Sequence, residues 1–192
     1  MTKTLIPMDD IIESQVIAAI SSENQIQEAI DSSCNVAFLL QGNILSLPHF
    51  VAKLKESDMH VFVHMDLIAG LSNDVSAINF IVEKVKPTGI ITTKGYIVKV
   101  AKKYNLLTIQ RLFIIDRNAI NKGIEMVKDS KPDAIELMPG VLPKAINQFA
   151  TTSHLPIIVG GLIDTIQEIH IALETGALAV SMTSNDLWNT GL

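Results

Sequence analysis

Eight short apolar runs recur along this chain at intervals that leave room for one helix each. They begin at Val16 (VIAAI), Val36 (VAFLL), Val61 (VFVHM), Gly89 (GIITT), Leu107 (LTIQR), Ala134 (AIELM), Ile157 (IIVGG) and Ala177 (ALAVSM). Runs of this length, rich in Val and Ile and without strict alternation, are what strands covered on both faces require, and that is the condition inside a parallel sheet. The intervals carry helical spacing. Val75, Ile78, Val82 and Val85 follow Asn73-Asp74, Ile120, Ile124 and Val127 follow Asp116, and Ile166, Ile169 and Leu173 end at Thr175-Gly176. Pro48, Pro87, Pro132, Pro143 and Pro156 stand where helices begin or strands are entered. The interval from Ser21 to Asn35 has the weakest helical pattern.

Alternating strands and helices predict parallel pairing with right-handed crossovers. Eight units favour closure, so the expected fold is a single α/β domain over 1–192, a compact (β/α)8 TIM-like barrel with short loops. An open flavodoxin-like sheet would require some of the eight runs not to be strands. No low-complexity segment or linker divides the chain.

Composition narrows the function classes. With 48% apolar and 18% charged residues, the chain has the balance of a packed globular domain and not of a disordered one. No apolar run reaches the roughly 18 to 20 residues of a membrane span, and MTKTLIPMDD lacks the regions of a leader peptide, so no membrane partner and a cytoplasmic location are expected. The single cysteine, Cys34, reads as a buried structural thiol at a strand entrance. A net charge of -5 gives no overall basic footprint for nucleic acid. Metal sites are not expected: His60 and His64 are four strand residues apart, roughly 13 Å between Cα atoms, and no other ligand spacing is present.

Two strand ends suggest an anion site. PIIVGGLID (Pro156–Asp164) and ALAVSMTSN (Ala177–Asn185) each pass from an apolar strand into small residues ahead of a helix, where backbone N–H groups gather. Gly160 and Gly161 permit close backbone approach, and Thr183 and Ser184 add hydroxyl donors. In a (β/α)8 barrel these are the ends of strands seven and eight, a common place for phosphate. A glycine pair alone equally fits an ordinary turn.

Further polar residues fall at other strand ends. Phe62, His64 and Asp66 share one strand face, opposite Val61, Val63 and Met65, which places His64 and Asp66 inside the mouth. Thr92, Thr93 and Lys94 close the fourth run, Gln110 and Arg111 the fifth, and Glu136 faces inward from the sixth with Lys94 or Arg111 as its expected partner. Structural roles stay open for these groups: a core histidine for His64, a barrel ion pair for Glu136 and Arg111, a helix cap for Asp66. His49, His154 and His170 read as surface residues, and Leu187-Trp188 as packing beneath the phosphate loop.

The stretches HVFVHMDLIAGL (His60–Leu71), GIITTKGYIVKVAKK (Gly89–Lys103), IQRLFIIDRNAI (Ile109–Ile120), DAIELMPGVLPK (Asp133–Lys144) and PIIVGGLI (Pro156–Ile163) resemble the glycerol 3-phosphate responsive antiterminator family over nearly the whole chain. The resemblance implies a barrel-shaped regulator that binds glycerol 3-phosphate as effector, uses no cofactor, and acts on the leader mRNA of glycerol-catabolic operons to prevent termination. It carries the phosphate to Gly160, Gly161, Thr183 and Ser184, and the glycerol end to His64, Asp66, Lys94, Arg111 and Glu136. RNA would then need a local basic surface, for which Lys99, Lys102, Lys103, Arg117 and Lys122 on the helices after strands four and five are the candidates. A homodimer suits a regulator that couples through a symmetric interface. The competing class is a small barrel enzyme acting on a phosphorylated triose or sugar, with Lys94 forming a Schiff base or moving a proton and Asp66 or Glu136 as acid and base.

Overall fold

The computed structural model describes residues 7–190. The leader-peptide expectation rests partly on residues 1–6, which lie outside that range. All eight runs are strands: β1 Val16–Ile20, β2 Val36–Leu39, β3 His60–His64, β4 Gly89–Thr92, β5 Leu107–Phe113, β6 Ala134–Met138, β7 Ile157–Gly160 and β8 Ala179–Met182. Each pairs in parallel with the next, and β8 returns to β1 through Val16 opposite Val180, closing the barrel. An open sheet is thereby ruled out. The last strand starts two residues later than its apolar run, because Ala177 and Leu178 still form its approach.

A short helix, α1 (Met8–Ile11), precedes the barrel, and its Met8 and Ile11 pack with Ile17, Val36 and Leu107 in the barrel interior. The outer helices are α2 (Gln25–Ile30), α3 (Leu47–Glu56), α4 (Val75–Phe80), α5 (Gly95–Lys103), α6 (Arg117–Ser130), α7 (Pro143–Ser153) and α8 (Ile166–Glu174). The weakly patterned first interval folds as the six-residue α2. Helix α4 continues into a π-helical turn, Ile81–Val85, and the altered register buries Ile81 and Val85 while Val82 is half-buried and Val75 exposed. Asp74, Asp116 and Thr165 cap α4, α6 and α8 by accepting backbone N–H bonds from Ala77, Ala119 and Glu168.

Strand periodicity divides the core. Ala18, Ala37, Val61, Val63, Ile135, Leu137 and Val159 face outward into the layer under the helices. Ile17, Phe38, Phe62, Ile109 and Ile158 face inward and fill the barrel below its mouth, with the Phe38 and Phe62 rings edge to face at 5.9 Å. Gly89 makes room for this: a Cβ there would lie 2.6 Å from the Phe62 ring. Trp188 is buried behind β8 and donates its indole N–H to Met182 O at 2.9 Å, and Cys34 is buried nearby. Among the described residues no helix is long and apolar enough to cross a membrane.

Candidate ligand-binding site

The inward positions at the C-terminal ends of the strands stop being apolar. On the floor of the mouth, Arg111 of β5 and Glu136 of β6 stand in register, and Arg111 Nε donates to Glu136 Oε2 at 2.6 Å. Ser181 of β8 donates its hydroxyl to the other carboxylate oxygen at 2.8 Å. Glu136 is fully buried, and two donors, one of them cationic, compensate its lost hydration. Of the two partners expected for Glu136, Arg111 is the one in place. Gln110 points the other way, toward the helices, where it accepts a bond from the Ser130 hydroxyl.

Above this floor lies a cavity of about 260 Å³ at the ends of β5, β6, β7 and β8, reaching across to Ala19 of β1 and Leu40 after β2. Arg111, Met138, the loop Gly161–Asp164 and the segment Ser181–Ser184 line it. Only Arg111 Nε is used in binding Glu136; the two terminal guanidinium nitrogens donate to no group among the described residues, and the side chain borders the cavity. Gly161 and Leu162 both adopt left-handed backbone, φ 75° and 60°, which folds the β7–α8 loop over the cavity. Gly160 sits lower. A Cβ there would collide with the Ser181 hydroxyl and approach Glu136 Oε1 to 3.3 Å, so this glycine is a packing requirement of the floor.

Helix termini contribute less here than the sequence pattern suggests. The Glu168 carboxylate accepts the N–H groups of Asp164 and Thr165 at 2.9 and 3.0 Å, closing a capping box at the start of α8. Those two N–H groups are thereby taken by a carboxylate of the chain itself. After β8 the chain makes only a 3-10 turn, Asn185–Leu187. The polar groups that border the cavity at this end are therefore Arg111, the Gly161 turn and the exposed Thr183 and Ser184.

A second polar cluster occupies the β3–β4 side. Asp66, in a 3-10 turn after β3, accepts from Thr93 N–H at 2.7 Å, Thr93 Oγ1 at 2.9 Å and Thr92 Oγ1 at 3.2 Å. Burial works to raise its carboxyl, but the Thr93 bonds and neighbouring charges outweigh this and hold it below the ordinary carboxylate range. Lys94 Nζ lies 3.6 Å from Asp66 Oδ1. The Asn73 amide bridges the two, donating to Asp66 Oδ1 and accepting from Lys94 Nζ, each at 2.7 Å. Lys94 thus belongs to Asp66 and not to Glu136.

His64 lies between the clusters and is 2% exposed, and among the described residues neither ring nitrogen has a hydrogen-bond partner. Burial, then the Arg111 charge, lowers its pKa to about 4 against the opposing pull of Asp66. A neutral buried imidazole with two unused nitrogens on an inward strand position is suited to polar groups of a bound molecule. The sequence marks Thr93 as a polar strand end without its bond to Asp66, and does not single out Ser181 or Asn73 as site residues. Ser181 shares the face of Thr183 on β8, so its two-residue spacing was the available signal; Asn73, in an irregular loop, gave none.

The remaining basic candidates are dispersed. Lys99 pairs with Asp129 at 2.8 Å and Lys102 with Asp133 at 2.6 Å. Lys103 ends α5 on the side away from the mouth, whereas Arg117 opens α6 on the mouth side and Lys122 lies between. The structure does not bring these five into one patch. Among the described residues, no group of three His, Cys, Asp or Glu side chains is placed to hold a metal.

Residues 16–188 match the family model described as glycerol-3-phosphate responsive antiterminator. The glycerol uptake operon antiterminator regulatory protein of Listeria monocytogenes is similar in structure, with TM-score 0.88 and 33% identity over 92% of this chain and 95% of that one. A glycerol uptake operon antiterminator-related protein of Thermotoga maritima superimposes with TM-score 0.82 and 34% identity, covering 91% and 98% of the two chains. The uncharacterized protein YgcP of Escherichia coli (strain K12) is 34% identical over 176 residues, 92% of each sequence.

Proposed function

The chain belongs to the glycerol-3-phosphate responsive antiterminator family, and from that premise we propose that its barrel mouth binds glycerol 3-phosphate as a regulatory signal. The carrying observation is the position of Arg111, anchored through Nε by Glu136 and bordering the cavity it shares with Gly161, Thr183 and Ser184. A guanidinium locked through one nitrogen presents its other donors at little entropic cost, and planar donors suit a phosphate. The phosphate rests against Arg111, Gly161, Thr183 and Ser184, and Gly160 supports this end by its packing under the loop. The glycerol hydroxyls extend toward His64, with Asp66 and Lys94 forming the far wall and Glu136 holding the floor. A cavity of about 260 Å³ lies just below the ~300–1,000 Å³ of ordinary small-molecule pockets, which suits a short polyol phosphate.

Two observations favour sensing over catalysis on a phosphorylated triose. The Lys94 ammonium is engaged by Asp66 and Asn73, so a Schiff base would require it to leave both. His64 has no carboxylate bonded to either nitrogen and therefore no relay to orient it as an acid or base. Ligand binding shifts the chain toward the state that acts on the leader mRNA of glycerol-catabolic operons, by the difference in ligand affinity between the two states. The protein works in the cytoplasm, where the transcript is made, needs no cofactor, and couples its sites as a homodimer.

Calorimetric titration with glycerol 3-phosphate, alongside a turnover assay, tests this reading. Saturable binding without product is expected, weakened by Thr183→Val together with Ser184→Ala. Product formation would instead establish the enzyme.

A further inference from the structure

The side of the barrel opposite the mouth carries an uneven charge. Helices end on that side, and consecutive ones end on lysines: Lys53 and Lys55 on α3, Lys84 on the π-helical turn, Lys102 and Lys103 on α5, Lys128 on α6. Favourable interaction with helix dipoles is the simplest explanation of such lysines. It fails to account for their distribution, because α2, α7 and α8 have no basic residue in the last turn. The lysines occupy only the consecutive ends from α3 to α6.

Two further positions strengthen the point. The π-helical turn and α6 both terminate in a left-handed residue, and in both it is lysine, Lys86 at φ 55° and Lys131 at φ 53°. Glycine or asparagine fills such positions at the least conformational cost, and a longer L side chain there is strained. Local backbone preference therefore does not select lysine at either end. The ends are also contiguous: Lys55 Nζ donates to Lys86 O at 3.0 Å across α3 and the π-helical turn. Three inter-helix steps of roughly 10 Å give an arc on the order of 30 Å.

Only Lys102 among these lysines has a salt-bridge partner within the described residues. The carboxylates of the arc are Glu56, Asp58 and Glu83, besides Asp129 and Asp133, which Lys99 and Lys102 engage. Lysines thus outnumber free carboxylates locally in a chain whose net charge is -5. Tyr104, directly after α5, is 37% exposed on the same arc and offers a ring face for a base.

We propose that this crescent, from the end of α3 to the end of α6, is the surface that binds the phosphate backbone of the leader RNA, with Lys86, Lys103, Lys128 and Lys131 as its main contacts and Tyr104 as a stacking platform. The proposal rests on the antiterminator reading above and fixes where its RNA lies. Strand β5 spans the two sites: Thr108 holds Asp133, the partner of Lys102, with bonds of 2.9 and 2.7 Å, and Arg111 lies three residues further along toward the mouth.

The test is fluorescence anisotropy with a labelled leader transcript of a glycerol-catabolic operon, with and without glycerol 3-phosphate, over a series of salt concentrations. The variant carries Lys86→Gly and Lys131→Gly, which suit their backbone, with Lys103→Gln and Lys128→Gln. It should keep the wild-type melting temperature and glycerol 3-phosphate affinity, bind RNA at least ten-fold more weakly, and lose about 0.7 of salt slope per lysine removed. Tyr104→Ala should weaken RNA further without changing that slope. Unchanged affinity and slope while the wild type binds would overturn the crescent and leave the antiterminator reading intact, as would a loss confined to Arg117→Gln with Lys122→Gln. A wild type that binds no RNA with or without ligand would overturn both. If the lysine variant lost antitermination in a transcription assay with RNA binding intact, the crescent would face an acidic protein partner and the RNA assignment would be wrong.

Discussion

Arg111 and Glu136 face each other across adjacent strands at the base of the mouth, joined by a 2.6 Å bond from Nε to Oε2 with both side chains almost fully buried. The pair supports the barrel and also aims the free end of the guanidinium at the cavity.

These two roles separate by mutation. Arg111→Leu strands a buried carboxylate and should cost about 3–5 kcal/mol in urea unfolding, whereas Arg111→Leu with Glu136→Leu should recover most of that loss. Neither should be stabilised by glycerol 3-phosphate. A double variant that still gains thermal stability with ligand would remove Arg111 from the anion site.

Gly160, which ends β7, and Gly161, the first residue of the loop after it, should behave differently. Gly160→Ala drives a methyl into the Ser181 hydroxyl and should destabilise the protein by about 1–3 kcal/mol without ligand. Gly161→Ala strains a residue at φ 75° and pushes on the Met138 methyl, so its main effect should fall on ligand affinity. Thermal melts with and without glycerol 3-phosphate distinguish the two.

His64 links stability to pH. Its folded pKa of about 4 lies below the ordinary 6.5, so the unfolded chain binds the proton first as pH falls. Stability should be unaffected by this group above about pH 6.5 and fall between there and about pH 4, by roughly 3 kcal/mol at most. Urea unfolding of His64→Leu over pH 4.5–7 should show a flatter profile than wild type. Equal slopes would place the titration elsewhere.

Lys94 is bound up with Asp66 and Asn73 and does not line the phosphate cavity. Lys94→Ala should weaken ligand binding by several-fold, less than the ten-fold or greater effect expected for losing hydrogen bonds to a charged phosphate through Thr183→Val with Ser184→Ala. Calorimetry on the two variants checks the order.

The fold was legible because each strand is a local event: short Val- and Ile-rich runs bounded by turn residues survive almost any packing context, and all eight appear in the barrel. Inward orientation was legible for the same reason, since period two fixes the side of His64, Arg111 and Glu136 once the strand is known. Interactions between strands were less accessible. The reach of Glu168 back to the terminus of α8 had a local signal in the capping-box pattern Thr165-x-x-Glu168, but nothing local shows that Ser181 completes the Glu136 site or that Asn73 bridges Asp66 and Lys94. Those depend on loops and on contacts between strands. The basic surface was read along helices, where spacing is visible, but the lysines gather across the ends of different helices, which only the closed barrel brings together.

Calorimetric titration of the wild-type protein with glycerol 3-phosphate, repeated on Thr183→Val with Ser184→Ala, tests the central claim most directly. A saturable one-site isotherm, exceeding that for glycerol or inorganic phosphate and weakened at least ten-fold in the variant at unchanged melting temperature, is the expected result. Wild-type binding that the variant leaves unchanged, or no binding at all, would contradict it.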